Sequence, residues 1–118
     1  MKTLVFGTSL KPDKYSNKAL QMLVSKNFDV VAFGIYKGTV AYVSVEPSLK
    51  NYINIHTITL YLSSKNQKQY YDYILSLEPK RVIFNPGTEN EEFYKLLEAQ
   101  NIKVDIACTL VLLSTNQY

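Results

Sequence analysis

The sequence is poor in the residues that build disulfides and metal sites. Its 118 residues include one cysteine, Cys108, and one histidine, His56. A single cysteine cannot form an internal disulfide, which is what a cytoplasmic protein would show. One cysteine and one histidine also cannot supply the usual four ligands of zinc. The sequence therefore argues against a disulfide-stabilised secreted domain and predicts no metal site.

Long apolar runs and clusters of basic residues are missing as well. No run reaches the roughly 18 apolar residues of a membrane-spanning helix, and the first apolar run is too short for a signal peptide. The net charge is +3, and the lysines are not clustered as in nucleic-acid-binding proteins. We therefore predict a cytoplasmic protein with neither a membrane nor a nucleic acid as partner.

The remaining composition is typical of one globular domain. Hydrophobic residues make up 47% of the chain and charged residues 19%, and the length is common for a single domain. No internal repeat, low-complexity tract or linker divides the sequence. We predict one domain over residues 1–118.

Short apolar runs alternate with helical patterns along this domain. Five runs predict β-strands over residues 3–6, 29–33, 57–61, 81–84 and 103–106. Residues 37–49 indicate an irregular connection that could include a short strand or a turn of helix. The alternation predicts an α/β fold: a Rossmann-like, doubly wound, five-stranded and mainly parallel sheet with helices on both faces.

Polar residues mark the predicted starts of three helices. A serine or threonine can cap a helix, and a glutamine or glutamate three residues later completes a capping box. The candidates are Ser16, Ser64 with Gln67, and Thr88 with Glu91.

In such a fold, ligands bind beyond the carboxyl ends of the strands, and the first strand is followed by Gly7 and Ser9. Gly7 permits a tight turn, and Ser9 offers a hydroxyl and a backbone N–H. The next helix starts near Ser16, where free N–H groups and the helix dipole favour anions. Lysines 11, 14 and 18 add positive charge nearby. The motif fits a phosphate group and an ordinary strand–turn–helix connection about equally well.

An NAD site would require an acidic residue at the end of the second strand. Asp29 begins that strand instead of ending it, and the strand is followed by Gly34, Ile35, Tyr36 and Lys37. The sequence therefore argues against NAD. Lys37 suits a phosphorylated ribose or another phosphate group.

Catalytic residues are scarce at the predicted ligand edge. His56 precedes the third strand and so lies at the opposite edge, and Ser9 does not sit in a Gly-x-Ser-x-Gly motif. Cys108 follows the fifth strand and could meet a ligand thiol or be a buried, inert cysteine. We predict no catalytic residues.

The order of these motifs resembles the coenzyme A-binding domain family, whose Rossmann-like module also forms the N-terminal part of the succinyl-CoA synthetase alpha subunit. The similar segments are Gly7-x-Ser9, Pro12-x-x-Tyr15-Ser16, Gly38 with residues 43–49, residues 80–90, and residues 107–109. They cover nearly the whole chain. The synthetase's phosphohistidine and partner-subunit machinery is absent, so the resemblance does not imply ligase activity.

The resemblance implies coenzyme A as the ligand and three groups of contact residues. The phosphate loop would be framed by Gly7, Thr8, Ser9, Pro12, Tyr15 and Ser16. Gly34 and Lys37 would approach the adenosine, although the family's usual Asn-Pro pair is absent there. Asn85, Pro86, Gly87 and Thr88 would lie along the pantetheine, and Cys108 is a further candidate contact.

Three functions stay open. The first is a small cytoplasmic protein that binds coenzyme A or acyl-coenzyme A without catalysis of its own, as a carrier, sensor or regulator. The second is an enzyme that uses Cys108 for thiol exchange on a nucleotide-linked substrate. The third is an interaction module with a vestigial nucleotide site, in which exposed Tyr70, Tyr71 and Tyr73 contact a partner or form a homodimer. Tyr70 and Tyr73 could instead cover the sheet or be half-exposed.

Overall fold

A computed structural model describes residues 1–118 and shows an α/β fold. The strands are β1 (Lys2–Phe6), β2 (Asp29–Phe33), β3 (Gly38–Val40), β4 (Val43–Glu46), β5 (Ile55–Leu60), β6 (Arg81–Phe84) and β7 (Lys103–Ile106). The helices are α1 (Tyr15–Ser25), α2 (Ser64–Gln67), α3 (Tyr71–Ser76), α4 (Glu91–Glu98) and α5 (Thr109–Ser114), and a 3₁₀ turn, Lys68–Tyr70, joins α2 to α3. None of the helices combines the length and the apolar character needed to cross a membrane.

The strands form one sheet in the order β3-β4-β2-β1-β5-β6-β7. β1 pairs in parallel with both β2 and β5, so that Phe6 lies opposite Phe33 and Leu60. The chain first builds the sheet on one side of β1 and later on the other, and the strand order therefore reverses at β1. A reversal of this kind opens a crevice for ligands at the carboxyl edge of the sheet.

The predicted Rossmann-like topology agrees with this sheet, but the predicted number of strands is wrong. Two additional strands, β3 and β4, form an antiparallel hairpin in the segment predicted to be irregular, and β4 pairs in parallel with β2. The hairpin turn consists of Ala41 and Tyr42, with φ of 49° and 68°. Turns of this kind are usually signalled by Asn-Gly or Asp-Gly. Without that signal, two strands of three and four residues are hard to tell from a loop.

The start of α1 differs from the predicted one. Lys14 occupies the N-cap position and makes no side-chain capping bond. Ser16, the predicted cap, lies in the first turn, where its Oγ accepts a hydrogen bond of 3.0 Å from the Ser9 N–H. The serine therefore holds the preceding loop and does not begin the helix.

Both predicted capping boxes are also wrong. Asn90, not Thr88, caps α4, because its Oδ1 accepts a bond of 3.2 Å from the Phe93 N–H. The segment opened by Ser64 is divided into α2, the 3₁₀ turn and α3, and Ser63 is its N-cap residue. Gln67 is fully buried. The last helix, α5, was not predicted.

Apolar side chains cover both faces of the sheet. The layer beneath α1 and α5 includes Val5, Leu20, Leu23 and Leu113. The opposite layer includes Phe6, Phe33, Ile74, Phe84 and Phe93. The predicted placement of helices on both faces is confirmed.

The three tyrosines of the interaction-module hypothesis belong to this second layer. Tyr70 and Tyr73 lie 5.2 and 6.0 Å from the ring of Phe6, and Tyr71 stacks on Phe93 at 4.3 Å. Tyr71 is 8% exposed. The prediction that these side chains form an exposed surface is therefore wrong: Tyr71 is buried, and Tyr70 and Tyr73 are half-buried against the sheet, in agreement with the alternative stated for those two.

His56 makes the stability of the fold sensitive to acid. It lies in β5, with Nδ1 2.8 Å from Thr57 Oγ1, and burial, followed by the positive charge of Arg81, lowers its pKa below the ordinary value of about 6.5. Between the two pKa values the unfolded chain binds more protons, so stability should fall as the pH drops from about 6.5 through the folded-state pKa. Urea unfolding at several pH values should show this loss, and His56→Gln should show less of it. An identical pH dependence in both proteins would contradict the prediction.

Candidate functional site

The turn after β1 is fixed tightly to the end of β2. The N–H groups of Gly7 and Thr8 both donate to the Phe33 carbonyl, at 2.9 and 2.7 Å. Gly7 has a φ of 101°, which other residues rarely adopt. A Cβ added to Gly34 would lie 2.3 Å from the Thr8 carbonyl oxygen. Gly34, predicted to approach an adenosine, therefore allows this turn to lie against β2.

The first turn of α1 holds the loop that follows. Besides the bond from Ser9 N–H to Ser16, Asn17 Nδ2 donates to the Ser9 carbonyl at 2.9 Å. Ser9 Oγ accepts a bond from the Lys11 N–H at 3.1 Å. The Ser9 N–H that was predicted to be available for a ligand is therefore occupied. These bonds fix the shape of the loop within the protein itself.

The start of α1 is suited to an anion. No side chain caps it, and its first turn contains no acidic residue. The first N–H groups of a helix have no partner within the helix, and the dipole gives this end a partial positive charge. The side chains of Lys11, Lys14 and Lys18 are exposed here. A phosphate group at this point would find N–H donors and positive charge together.

A pocket of about 230 Å³ opens beside the turn at the carboxyl edge of the sheet. Its walls are Gly7, Thr8, Ser9, Phe33, Ile35, Tyr36, Leu62 and Tyr70. Ile35 and Tyr36 are 70% and 71% exposed. The pocket is smaller than the roughly 300–1,000 Å³ typical of a drug-sized ligand, so it would hold one part of a larger molecule. A larger open groove of about 600 Å³ lies elsewhere, between α1 and α5.

Leu62 and Tyr70, like Phe33, Ile35 and Tyr36, are not among the contact residues predicted from the sequence. Leu62 follows β5, and Tyr70 ends the 3₁₀ turn. An apolar residue in either position normally signals core packing, and Tyr70 does pack on Phe6. Only the sheet order, which puts β5 next to β1, shows that both also face the pocket.

Lys37 is exposed near the end of β2 and is paired with Glu46. Its Nζ lies 3.4 Å from Glu46 Oε1, and Lys50 Nζ lies 3.8 Å from the same oxygen. The Ser44 hydroxyl, and then the two lysines, lower the pKa of the Glu46 carboxyl. Exposed pairs of this kind are weak, so Lys37 can turn towards a phosphate at little cost.

Glu46 places a carboxylate beside the end of β2. The sequence offers no carboxylate there, but β4 pairs with β2 and places Glu46 opposite Phe33. This carboxylate is already bonded to Ser44 and Lys37. Ser44 and Lys50 would remain its partners if Lys37 turned towards a phosphate.

The loop after β6 is anchored by Asn85, which is 2% exposed. Its Nδ2 donates to Thr59 Oγ1 at 2.8 Å and to the Leu60 carbonyl at 2.9 Å, and its Oδ1 accepts from the Thr109 N–H at 2.9 Å. The side chain thus joins β5, β6 and the start of α5. Of the four residues predicted along the pantetheine, Asn85 and Thr88 are buried and Pro86 and Gly87 are exposed.

Cys108 is half-buried and precedes α5 at the carboxyl end of β7. β7 is three strands from β1 in the sheet, a distance of about 14 Å at the usual strand spacing. Cys108 therefore shares the ligand edge with the turn after β1 but does not line the pocket. No three His, Cys, Asp or Glu side chains lie close enough together to hold a metal ion.

A mainly parallel sheet with a glycine turn, an uncapped helix start and a pocket at its strand reversal defines a Rossmann-like domain. Residues 1–114 match the CoA binding domain family, and the chain belongs to this family.

Solved structures share the architecture. The chain superposes on the crystal structure of an uncharacterised protein with a TM-score of 0.96 and 40% identity, covering 99% of this chain and 97% of the other. A protein from Thermus thermophilus gives a TM-score of 0.86 at 17% identity, with 99% and 90% of the chains covered. The second likeness concerns the fold alone.

One curated relative is mouse cilia and flagella-associated protein 47, which is 28% identical over 93 residues. These residues are 79% of this chain, and the match spans about 3% of the length of that relative.

Proposed function

We propose that the protein binds coenzyme A or an acyl-coenzyme A and has no catalytic machinery of its own, acting as a carrier, sensor or regulator. The observation that carries this proposal is the match of residues 1–114 to the CoA binding domain family. The geometry of the carboxyl edge supports it in three places.

The first supporting place is the start of α1. Coenzyme A carries a pyrophosphate and a further phosphate on its ribose, and both need positive charge and N–H donors. The uncapped first turn of α1, with Lys14 as N-cap residue, offers these to the pyrophosphate. Lys37, held only by an exposed pair with Glu46, is available to the ribose phosphate.

The second supporting place is the pocket beside the turn after β1. Its apolar walls and the exposed side chains of Ile35 and Tyr36 at its mouth suit a flat ring or a short apolar chain. Exposed apolar side chains that form a continuous patch commonly mark a binding surface, and Ile35 and Tyr36 are neighbours at the mouth of the pocket.

The third supporting place is the exposed loop after β6. Pro86 and Gly87 lie two strands from β1, about 10 Å at the usual spacing, so an extended pantetheine can reach them from the pocket. Cys108 lies one strand further along the sheet. No observation favours thiol exchange at Cys108 over a simple contact with the bound ligand.

Calorimetric titration with coenzyme A tests the proposal, with Lys14→Glu as the variant. Reversing this charge at the start of α1 should weaken binding about tenfold, which corresponds to about 1.4 kcal/mol. Raising the salt concentration should weaken the wild-type protein in the same direction.

Lys26→Glu is the matched control, because it makes the same charge change at the other end of the same helix, about 18 Å away. It should leave the affinity almost unchanged. No heat and no thermal shift with millimolar coenzyme A or acetyl-coenzyme A would refute the proposal. Equal losses in both lysine variants would refute the placement of the phosphates.

A further inference from the structure

The buried side chain of Gln67 connects two loops at the ligand edge. The residue is 0% exposed. Its Nε2 donates to the Leu62 carbonyl at 2.8 Å and to the Thr88 carbonyl at 2.7 Å. Leu62 belongs to the loop after β5 and Thr88 to the loop after β6, so one amide group bonds to both.

The acceptor of the same amide extends the connection to α4. Gln67 Oε1 accepts a bond of 2.8 Å from Asn90 Nδ2, and Asn90 Oδ1 caps α4 through the Phe93 N–H. All the hydrogen-bonding groups of the Gln67 side chain are therefore used. A buried amide satisfied in this way has one orientation, since turning it would leave buried carbonyls without donors.

Each of the two loops carries a surface that a ligand would meet. Leu62 forms a wall of the pocket and lies against Gly7, where its Cδ2 would be 3.0 Å from an added Cβ. Thr88 bonds twice to the Asn85 carbonyl, through its N–H and its hydroxyl, and so closes the turn that exposes Pro86 and Gly87. The position of Gln67 therefore sets the distance between the pocket wall and that turn.

We propose that Gln67 is a positioning residue, which holds the Leu62 wall and the Pro86–Gly87 turn in one arrangement so that a ligand lying across β1, β5 and β6 contacts both at once. This inference rests on the proposed function. Gln67 itself touches no ligand, and its effect passes through the two carbonyls that it bonds.

Gln67→Met and Gln67→Glu test the inference. Methionine keeps the length of the side chain and removes all its bonds, and an ionised glutamate accepts bonds but cannot donate to the two carbonyls. The ligands are coenzyme A, which would reach the Pro86–Gly87 turn, and adenosine 3′,5′-bisphosphate, which lacks the pantetheine and would not. The affinity for coenzyme A divided by the affinity for adenosine 3′,5′-bisphosphate should be about tenfold lower in both variants than in the wild-type protein.

Gln69→Met is the control, since Gln69 is exposed two residues further along the same segment. It should leave the ratio unchanged. A purely structural role for Gln67 predicts a lower melting temperature with an unchanged ratio, and this result would overturn the inference. So would equal losses for the two ligands.

Amide hydrogen exchange in the free protein separates this inference from the proposed function. In Gln67→Met, the amides of residues 61–63 and 87–90 should both exchange faster than in the wild-type and Gln69→Met proteins. Faster exchange in only one loop, or in neither, would overturn the coupling. A wild-type protein that fails to bind coenzyme A would overturn the proposed function and the ligand-related half of this inference, whatever the exchange shows.

Discussion

Replacing Gly34 by alanine should destabilise the protein by about 3 kcal/mol, the upper part of the usual range for overpacking. The new Cβ would lie 2.3 Å from the Thr8 carbonyl oxygen and 2.9 Å from Val45 Cγ1. The Thr8 carbonyl cannot move away easily, because the Thr8 N–H is bonded to Phe33 at 2.7 Å. Urea unfolding monitored by circular dichroism measures the change.

Gly87→Ala is the informative comparison for Gly34→Ala. Gly87 has a φ of 92° but no atom within 4 Å of an added Cβ, so alanine there meets only backbone strain of about 1 kcal/mol. Gly34 has the opposite problem, a lack of space. Equal losses in the two variants, or a Gly34→Ala protein as stable as the wild type, would contradict this interpretation.

The folded fraction of Gly34→Ala should also bind coenzyme A more weakly than the wild-type protein. Moving the Thr8 carbonyl shifts Ser9, whose backbone is bonded to Ser16 and Asn17 at the start of α1. The loss would therefore come from a displaced loop and not from a missing adenosine contact.

The parts of the fold that could be predicted are those with a strong local pattern. β1, β6 and β7 are short apolar or alternating runs bounded by glycine, proline or asparagine, and their positions follow from the sequence with errors of about one residue. Gly7 was correctly placed at the turn after β1, because a glycine directly after a buried strand is typical of a tight turn.

The errors arose where a polar side chain has a different partner from the predicted one, near in the sequence for Thr88 and distant for Gln67. Thr88 and Glu91 fit a capping box, but the Thr88 hydroxyl bonds to Asn85 and Asn90 caps the helix instead. The capping box also gives Gln67 a local role, whereas its partners lie 5, 21 and 23 residues away. A sequence shows which bonds a side chain can make, but the choice among partners depends on the arrangement of the strands.

The pocket shows the same limit. Gly7 and Ser9 could be expected at the ligand edge, since they follow the first strand. Leu62 reaches the pocket, and Glu46 the end of β2, because β5 lies beside β1 and β4 beside β2 in the sheet. Strand order is a long-range property, and no motif in this chain specifies it.

Asn85→Ala should lower the free energy of unfolding by about 3 kcal/mol, because it removes three hydrogen bonds of a buried side chain. The loss should be as large as that of Gly34→Ala, although the cause there is a steric clash. The change leaves the Leu60 carbonyl and the Thr109 N–H buried without their partner and removes a bond to Thr59 Oγ1. Unpaired buried groups cost about 1–3 kcal/mol each, and part of that cost is recovered by relaxation. Thermal and urea unfolding should both report the loss.

Two further variants distinguish an anchoring role from a ligand contact. Asn85→Asp keeps an acceptor for the Thr109 N–H but loses both donated bonds when ionised, so it should be less stable than the wild type near neutral pH. Protonation of the new carboxyl restores one donor, and burial raises its pKa, so the deficit should shrink as the pH falls. A deficit that stays constant with pH would contradict this assignment.

Pro86→Ala changes an exposed neighbour and should leave stability nearly unaltered. If the loop after β6 meets the ligand through its surface, Pro86→Ala should lower the affinity for coenzyme A without lowering the midpoint of unfolding. Asn85→Ala should lower the midpoint of unfolding, and a loss of affinity in its folded fraction should accompany that loss of stability, because the loop would lose its anchor. A stable Asn85→Ala protein with weakened binding would show that the amide itself contacts the ligand, and the anchoring role of the buried network around it would then be wrong.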